Sequence, residues 1–361
     1  MTDNAPKAAP ADFEQATAAA DQTVASFDTH GRGPLQKLQH FLHNFPTTTP
    51  LLVLVLAVLV FGYFGAPRFL LVSTLSIILA QVTIIAMIGV AQTLVILTAG
   101  VDLSVGAITV LVTVVLGGLT VGDNAFLSGP LALPVGLAVG LLCGAINGAL
   151  VTYVRLPPFI VTLGTWQIYY SINLWYSDSA TVRAQDVEDA APILQWFGNA
   201  IEFGGARFIY GSVFMVLLFC VAWYVLNWTA WGRHVHAIGD DPEAATLAGI
   251  RTRRTLLQVY MAAGGICAMA GWVLIGRIGS ISPAAGQSAN LDSITAVVIG
   301  GTSLFGGRGS IVGTLLGALI VGVFRTGLSI SGVEVLWQDL AVGVLSITAV
   351  TIDQWIRRVS A

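Results

Sequence analysis

Among the residues in or beside long apolar stretches, the carboxylates Asp102 and Asp292, the amides Asn147 and Asn173 and the aromatic residues Trp166, Tyr169 and Tyr170 are the ones whose type and spacing could do chemistry. Trp166, Tyr169, Tyr170 and Asn173 recur at i, i+3, i+4, i+7 and therefore share one helix face. An aromatic face with an amide beside it suits a sugar. The C–H groups of the ring pack on π surfaces, and the hydroxyls need hydrogen-bond partners. The same stripe would serve helix packing, and the spacing alone leaves both readings open. Trp175 and Tyr176 suit interfacial anchors. Asn147 would be costly facing lipid, so it faces another helix or a cavity. Asp102 and Asp292 either line a route through the membrane or cap the helices that follow them.

A second group of polar residues forms an island, Trp231 to Ile250, in a sequence that is otherwise mostly apolar. The spacing predicts a short helix over 241–250. Asp240 or Asp241 can cap it, Pro242 suits its first turn, Glu243 sits where a capping box wants it, and Gly249 can end it. Ala244, Ala245 and Leu247 fill the middle. Arg251, Arg253 and Arg254 place the island on the cytoplasmic side by the positive-inside bias. A capped, alanine-rich helix projecting from membrane spans suits docking to a soluble partner, although an ordinary surface turn would read the same way.

The elements that must position these groups are membrane helices. Apolar residues make up 55% of the chain and charged residues 10%, and runs of 18 or more apolar residues recur. The short alternating segments of a β-barrel do not appear. Ten segments emerge, at about 51–66, 71–98, 104–122, 131–154, 158–177, 209–229, 256–276, 291–303, 310–330 and 337–356. With both termini cytoplasmic, the inside holds eleven Lys and Arg residues and the outside five, which supports this orientation. The segment 71–98 is too long for one simple span and 291–303 is short; both suggest broken or re-entrant helices. Cys143, Cys220 and Cys267 fall inside segments and read as packing residues rather than as a disulfide framework.

Residues 1–49 lack the layout of a secretory signal. Their alanine, proline and acidic residues predict a cytoplasmic tail, disordered over 1–33, with Leu35, Leu38, Phe41, Leu42 and Phe45 then forming an amphipathic segment on the membrane face. Residues 50–361 form the membrane domain, with a cytoplasmic loop at 230–255. Gly136, Gly140, Gly144 and Gly148, and likewise Gly309, Gly313 and Gly317, line small-residue faces that let helices approach closely. The stretches 101–110 and 290–298 share an order of acidic, hydroxyl and apolar residues. They lie toward opposite sides in this topology, a faint sign of an inverted repeat.

Absences narrow the function. The phosphate-binding Gly-x-x-x-x-Gly-Lys-Ser/Thr loop is missing, and the only lysines are Lys7 and Lys37. None of the five histidines lies in a span, which argues against an intramembrane dyad or a histidine metal site. No cofactor, metal or nucleic acid is expected on this chain, and an intramembrane enzyme is not the reading.

The residues also carry a resemblance. Leu97 to Gly106 (LTAGVDLSVG), Asn147-Gly148, Leu156 to Thr165 (LPPFIVTLGT), Gly232 to Ile250 and Ile299 to Ser310 (IGGTSLFGGRGS) resemble permeases of the ribose/xylose/arabinose/fructose branch of bacterial ABC importers. Their order and spacing extend the likeness from about residue 50 to the C-terminus. The resemblance implies an all-α integral membrane protein of the inner membrane, with about ten spans, re-entrant segments and the inverted repeat of type II importers. It implies a homodimer in membrane lipid, separate ABC ATPase subunits that use the ATP, and a periplasmic sugar-binding protein. By this likeness residues 241–250 form the coupling helix, and the outer loops, including Gln185–Phe208, receive the binding protein. Fructose or ribose is the implied cargo.

Two other classes stay open on the residues alone. A proton-coupled carrier would use Asp102, Asp292 or Asp339 as its acid but would leave the capped loop helix unexplained. A channel or scaffold would suit the glycine-rich broken helices.

Overall fold

A computed structural model of the chain describes residues 47–64, 68–122, 125–286 and 288–358. The expected tail, including its amphipathic segment, lies outside those residues apart from its last three positions. The chain there is a helical bundle. It opens with helices α1 (Thr48–Phe64), α2 (Val72–Leu97), α3 (Val105–Thr120), α4 (Gly129–Thr152) and α5 (Pro158–Tyr176). A short helix α6 (Ala184–Ala190), a 3₁₀ turn (Pro192–Gly198) and the hairpin β1 (Ala200–Phe203) and β2 (Ala206–Ile209) follow. Next come α7 (Tyr210–Trp228), the loop helices α8 (Ala230–Asp240) and α9 (Pro242–Leu247), and α10 (Thr252–Ile278). The half-length α11 (Ala289–Ile299), α12 (Ile311–Ile330) and α13 (Val335–Arg358) complete the bundle.

Ten of these helices coincide with the ten apolar segments. Five of them (α2, α4, α7, α10 and α12) are long and apolar enough to cross a bilayer. This is a multi-pass all-α membrane protein. Proline occupies the first turn of α4, α5 and α9, where its missing N–H costs nothing. The hairpin pairs Phe203 with Ala206 around Gly204 and Gly205, whose φ values of +58° and +76° suit the tight turn.

Helices α2 and α10 pack together at the centre and run in opposite directions. The end of α2 lies against Gly239 of α8 and Gly307. The end of α10 lies against Phe197 and Gly198, beside the bridge between Val182 and Ile281, at the other end of the bundle. Each central helix is followed by a break and a helix that packs with the opposite repeat. Helix α3 packs on α4, α5 and α10; helix α11 packs on α12, α13 and α2. In the same way α4 packs on α10 and α12 on α2. That exchange of partners between antiparallel units is the inverted repeat hinted at by the short sequence echo.

Two details differ from the sequence reading. The segment 71–98 is one continuous helix of 26 residues, and the break follows it at 98–104. The unbroken hydrogen-bond ladder of α2 simply extends past the usual span length. Gly309 precedes the N-cap Ser310 and is outside α12. The remaining glycines pack as the spacing predicts. Gly140 meets the Gly264 carbonyl, Gly144 the Tyr260 backbone, Gly313 the Gly300 backbone and Gly317 the Ala296 carbonyl. A methyl at any of the four would collide with main chain, which cannot move aside as a side chain can.

Candidate functional site

The first break is built on one buried carboxylate. Asp102 is 1% exposed, and its Oδ1 accepts the Ser104 N–H at 2.7 Å and the Ser104 hydroxyl at 2.6 Å. Asn147 of α4 donates to Ser104 Oγ at 2.8 Å. Tyr169 of α5 donates its hydroxyl to the Cys143 carbonyl at 3.0 Å and reaches Asn147 Oδ1 at 3.4 Å. Thr162 closes the arrangement by donating to the Val101 carbonyl at 3.0 Å. Asp102, Asn147 and Tyr169 therefore form one network, tying residues 101–104 to α4 and α5. The N-cap position of α3 is Ser104, so Asp102 is not its cap; it folds the turn before it.

The second break is held differently. Asn290 of α11 accepts the backbone N–H of Gly106 with its carboxamide oxygen. Asp292, read as lining a route or as a cap, is not a cap: it lies within the first turn of α11. Its carboxylate accepts Arg325 Nη2 at 2.9 Å and the Ser288 hydroxyl at 3.1 Å. Arg325 of α12 also holds Asp339 of α13 at 2.8 Å. Asp102 and Asp292 thus belong to separate networks, and the Gly106–Asn290 bond lies between the two segments that carry them. Arg325 lies near the end of α12, away from the loop helices. A lone arginine inside an apolar helix was the signal for a carboxylate partner.

The aromatic stripe divides in two. Tyr169 and Asn173 are buried, and Asn173 donates to the Pro283 carbonyl at 2.9 Å. Trp166 and Tyr170 are half-buried and stack, with centroids 6.5 Å apart and planes 22° off parallel. Trp175 is exposed, as an anchor would be, and the Tyr176 ring lies over Gly118. Gln92, in the last two turns of α2, was missed. It is fully buried, and neither side-chain polar atom has a partner. An amide inside a long apolar helix is the signal that would have found it.

The polar island holds two helices rather than one. Thr229 caps α8 by accepting the Gly232 N–H at 3.2 Å. Val235 and Ile238 turn inward while Arg233 points out. Asp241 caps α9, accepting from the N–H groups of Glu243 and Ala244, both at 2.9 Å. That makes Ala244, not Glu243, the third helical residue, so the capping box is not formed. Helix α9 spans six residues instead of the whole stretch 241–250, and Gly249 follows it at φ +83°. Ala245 faces the bundle, whereas Pro242, Glu243, Ala244 and Leu247 are exposed.

Residues 74–350 match the family described as branched-chain amino acid transport system, permease component, and the chain belongs to that family. It is 58% identical to the fructose import permease FrcC of Rhizobium meliloti, over 97% of each chain. It is 37% identical to the ribose import permease RbsC of Bacillus subtilis, over 90% of this chain and 95% of that one. The galactose/methyl galactoside import permease MglC of Escherichia coli K12 is 34% identical over 83% of this chain and 92% of its own. No solved structure matches the chain.

Proposed function

We propose that this chain is the membrane-spanning permease subunit of an ATP-driven, binding-protein-dependent monosaccharide importer, with fructose as its cargo. The observation that carries this reading is the 58% identity to a fructose import permease across nearly the whole of both chains. The permease sits in a bacterial inner membrane as a homodimer with both termini cytoplasmic. The ATP is used by separate ATPase subunits, and this chain binds no cofactor.

In this reading Asp241, Pro242, Glu243, Ala244, Ala245, Leu247 and Gly249 form the coupling element. The exposed face of α9, with Leu247 89% exposed, is the surface that enters the ATPase. The segment 184–209, at the opposite end of the bundle, meets the binding protein. The cargo passes the half-buried pair Trp166 and Tyr170, with the networks of Asp102, Asn147, Tyr169 and Asn173 and of Asp292 holding the broken segments beside the route. The physical cycle is a shift between two packings of the bundle, driven by ATPase closure on the loop helices.

The test is reconstitution of the permease with its copurifying ATPase and binding protein in liposomes. Labelled fructose should accumulate only with ATP and all three components. Uptake by the permease alone, abolished by collapsing a proton gradient, would replace this reading with a proton-coupled carrier.

A further inference from the structure

Three pieces of backbone meet at the loop-helix end of the bundle, brought close by glycines. The carbonyl of Leu97, the last residue of α2, accepts the Gly307 N–H at 3.0 Å. Gly239, next to last in α8, presses on that same carbonyl. A Cβ on Gly239 would strike the Leu97 oxygen and stand 2.6 Å from the Gly307 nitrogen. A Cβ on Gly306 would lie 2.7 Å from the Gly239 carbonyl and 2.8 Å from Ala99. Gly306 and Gly307 hold φ values of +87° and +72°, which glycine adopts without strain. Ala99 is held at φ +60°, a conformation an alanine keeps only when its surroundings impose it.

The junction has an unusual set of neighbours along the chain. Asp240 packs on Gly307 and passes directly into Asp241, the cap of α9. Ala99 leads through residues 100–104 to Asp102, Ser104 and the first turn of α3. The loop holding Gly306 and Gly307 returns through residues 300–305 to α11, which carries Asn290 and Asp292. One contact therefore touches the exposed loop helices and both broken segments. Side chains between moving parts can absorb displacement by changing rotamer; close-packed main chain passes it on.

We propose that this glycine junction is where movement of the loop helices enters both broken segments, with Gly239 and Gly307 as its positioning residues. The inference rests on the importer reading above. Its specific content is that the junction stays closed and moves as one body. Loss of the close contact then separates ATP hydrolysis from transport without undocking the ATPase.

The test uses the reconstituted permease with copurifying ATPase, binding protein and labelled fructose. Gly239→Ala should keep its ATPase and its basal hydrolysis. Fructose taken up per ATP hydrolysed should fall about tenfold, within the usual range for lost coupling between sites. An unchanged ratio in the folded variant, or loss of the ATPase from it, overturns the inference. Should that variant fail to fold, Asp240→Cys with Arg308→Cys, in a Cys220→Ser background, is joined by a short bismaleimide. Retained uptake supports a junction that moves as one body; blocked uptake, restored when the bridge is cleaved in a disulfide-containing analogue, overturns it. If wild-type uptake needs no ATPase, the importer reading fails and this inference falls with it. If wild-type uptake needs the ATPase but Gly239→Ala keeps the wild-type ratio, the importer reading stands and this inference alone falls.

Discussion

The carboxamide oxygen of Asn290 accepts the backbone N–H of Gly106, so a side chain from one repeat closes the first turn of a helix in the other. Helix N-termini leave several N–H groups unpaired, and inside a membrane water does not satisfy them. A buried side chain from across the bundle does so here.

This bond predicts a non-additive pair of substitutions. Asn290→Ala leaves the Gly106 N–H unpaired, and Gly106→Ala drives a methyl into the carboxamide, whose Cγ lies 3.1 Å from the new carbon. Each should destabilise the protein by about 1–3 kcal/mol. The double variant should lose less than the sum, because removing the carboxamide removes the clash. Thermal unfolding in detergent measures all three. Strictly additive shifts would show that the two residues do not act on each other.

Arg325 links α11 to α13, but its two acids are not equivalent. The Asp292 side chain is 11% exposed and that of Asp339 55%. Asp292→Asn should cost about 1–3 kcal/mol by leaving the arginine short of its buried partner, whereas Asp339→Asn should cost under about 1 kcal/mol. The same unfolding assay ranks them, and a larger loss at Asp339 would contradict this assignment.

On the loop helices, Glu243→Lys and Ala244→Glu place new charges on the exposed face of α9. Both should lower fructose uptake and copurification of the ATPase while the permease still inserts, since a charge buried in a packed contact carries a desolvation penalty. Undiminished copurification and uptake in both variants would remove α9 from the docking surface.

The two halves of the aromatic stripe should behave differently. Trp166→Ala and Tyr170→Ala should slow uptake with the ATPase still bound, because their stacked rings are only half-buried. Tyr169→Phe removes the hydroxyl bond to the Cys143 carbonyl and should cost about 1 kcal/mol of stability, with uptake kept in the folded fraction. Normal uptake in both alanine variants would take this helix face out of the route.

What was legible in the sequence is what local chemistry decides. Hydropathy found the ten main helices, glycine spacing found the faces of α4 and α12, and Asp241 with Pro242 located the start of α9. Asn147 was selected because an amide facing lipid is costly, and Tyr169 as part of the aromatic stripe; the two share one network. The misses have physical reasons too. Helix α8 has mixed composition, and its Thr229 cap is easily passed over beside the Asp240–Asp241 pair. Asp102 and Asp292 look alike along the chain, yet one folds its own turn and the other pairs with an arginine 33 residues away. Backbone contacts such as that of Gly239 with Leu97 leave no trace in residue type beyond the glycine itself.

The partnership of Gly106 and Asn290 also sets a timetable for biogenesis. The two are separated by 184 residues, which a ribosome takes roughly 10–40 s to add. Through that interval the first half of the bundle is already emerging into lipid with the start of α3 incomplete. Its local bonds, from Asp102 to Ser104, can form at once and hold the turn in shape. Truncation before Asn290 should therefore leave a chain that inserts yet falls prey to membrane quality control.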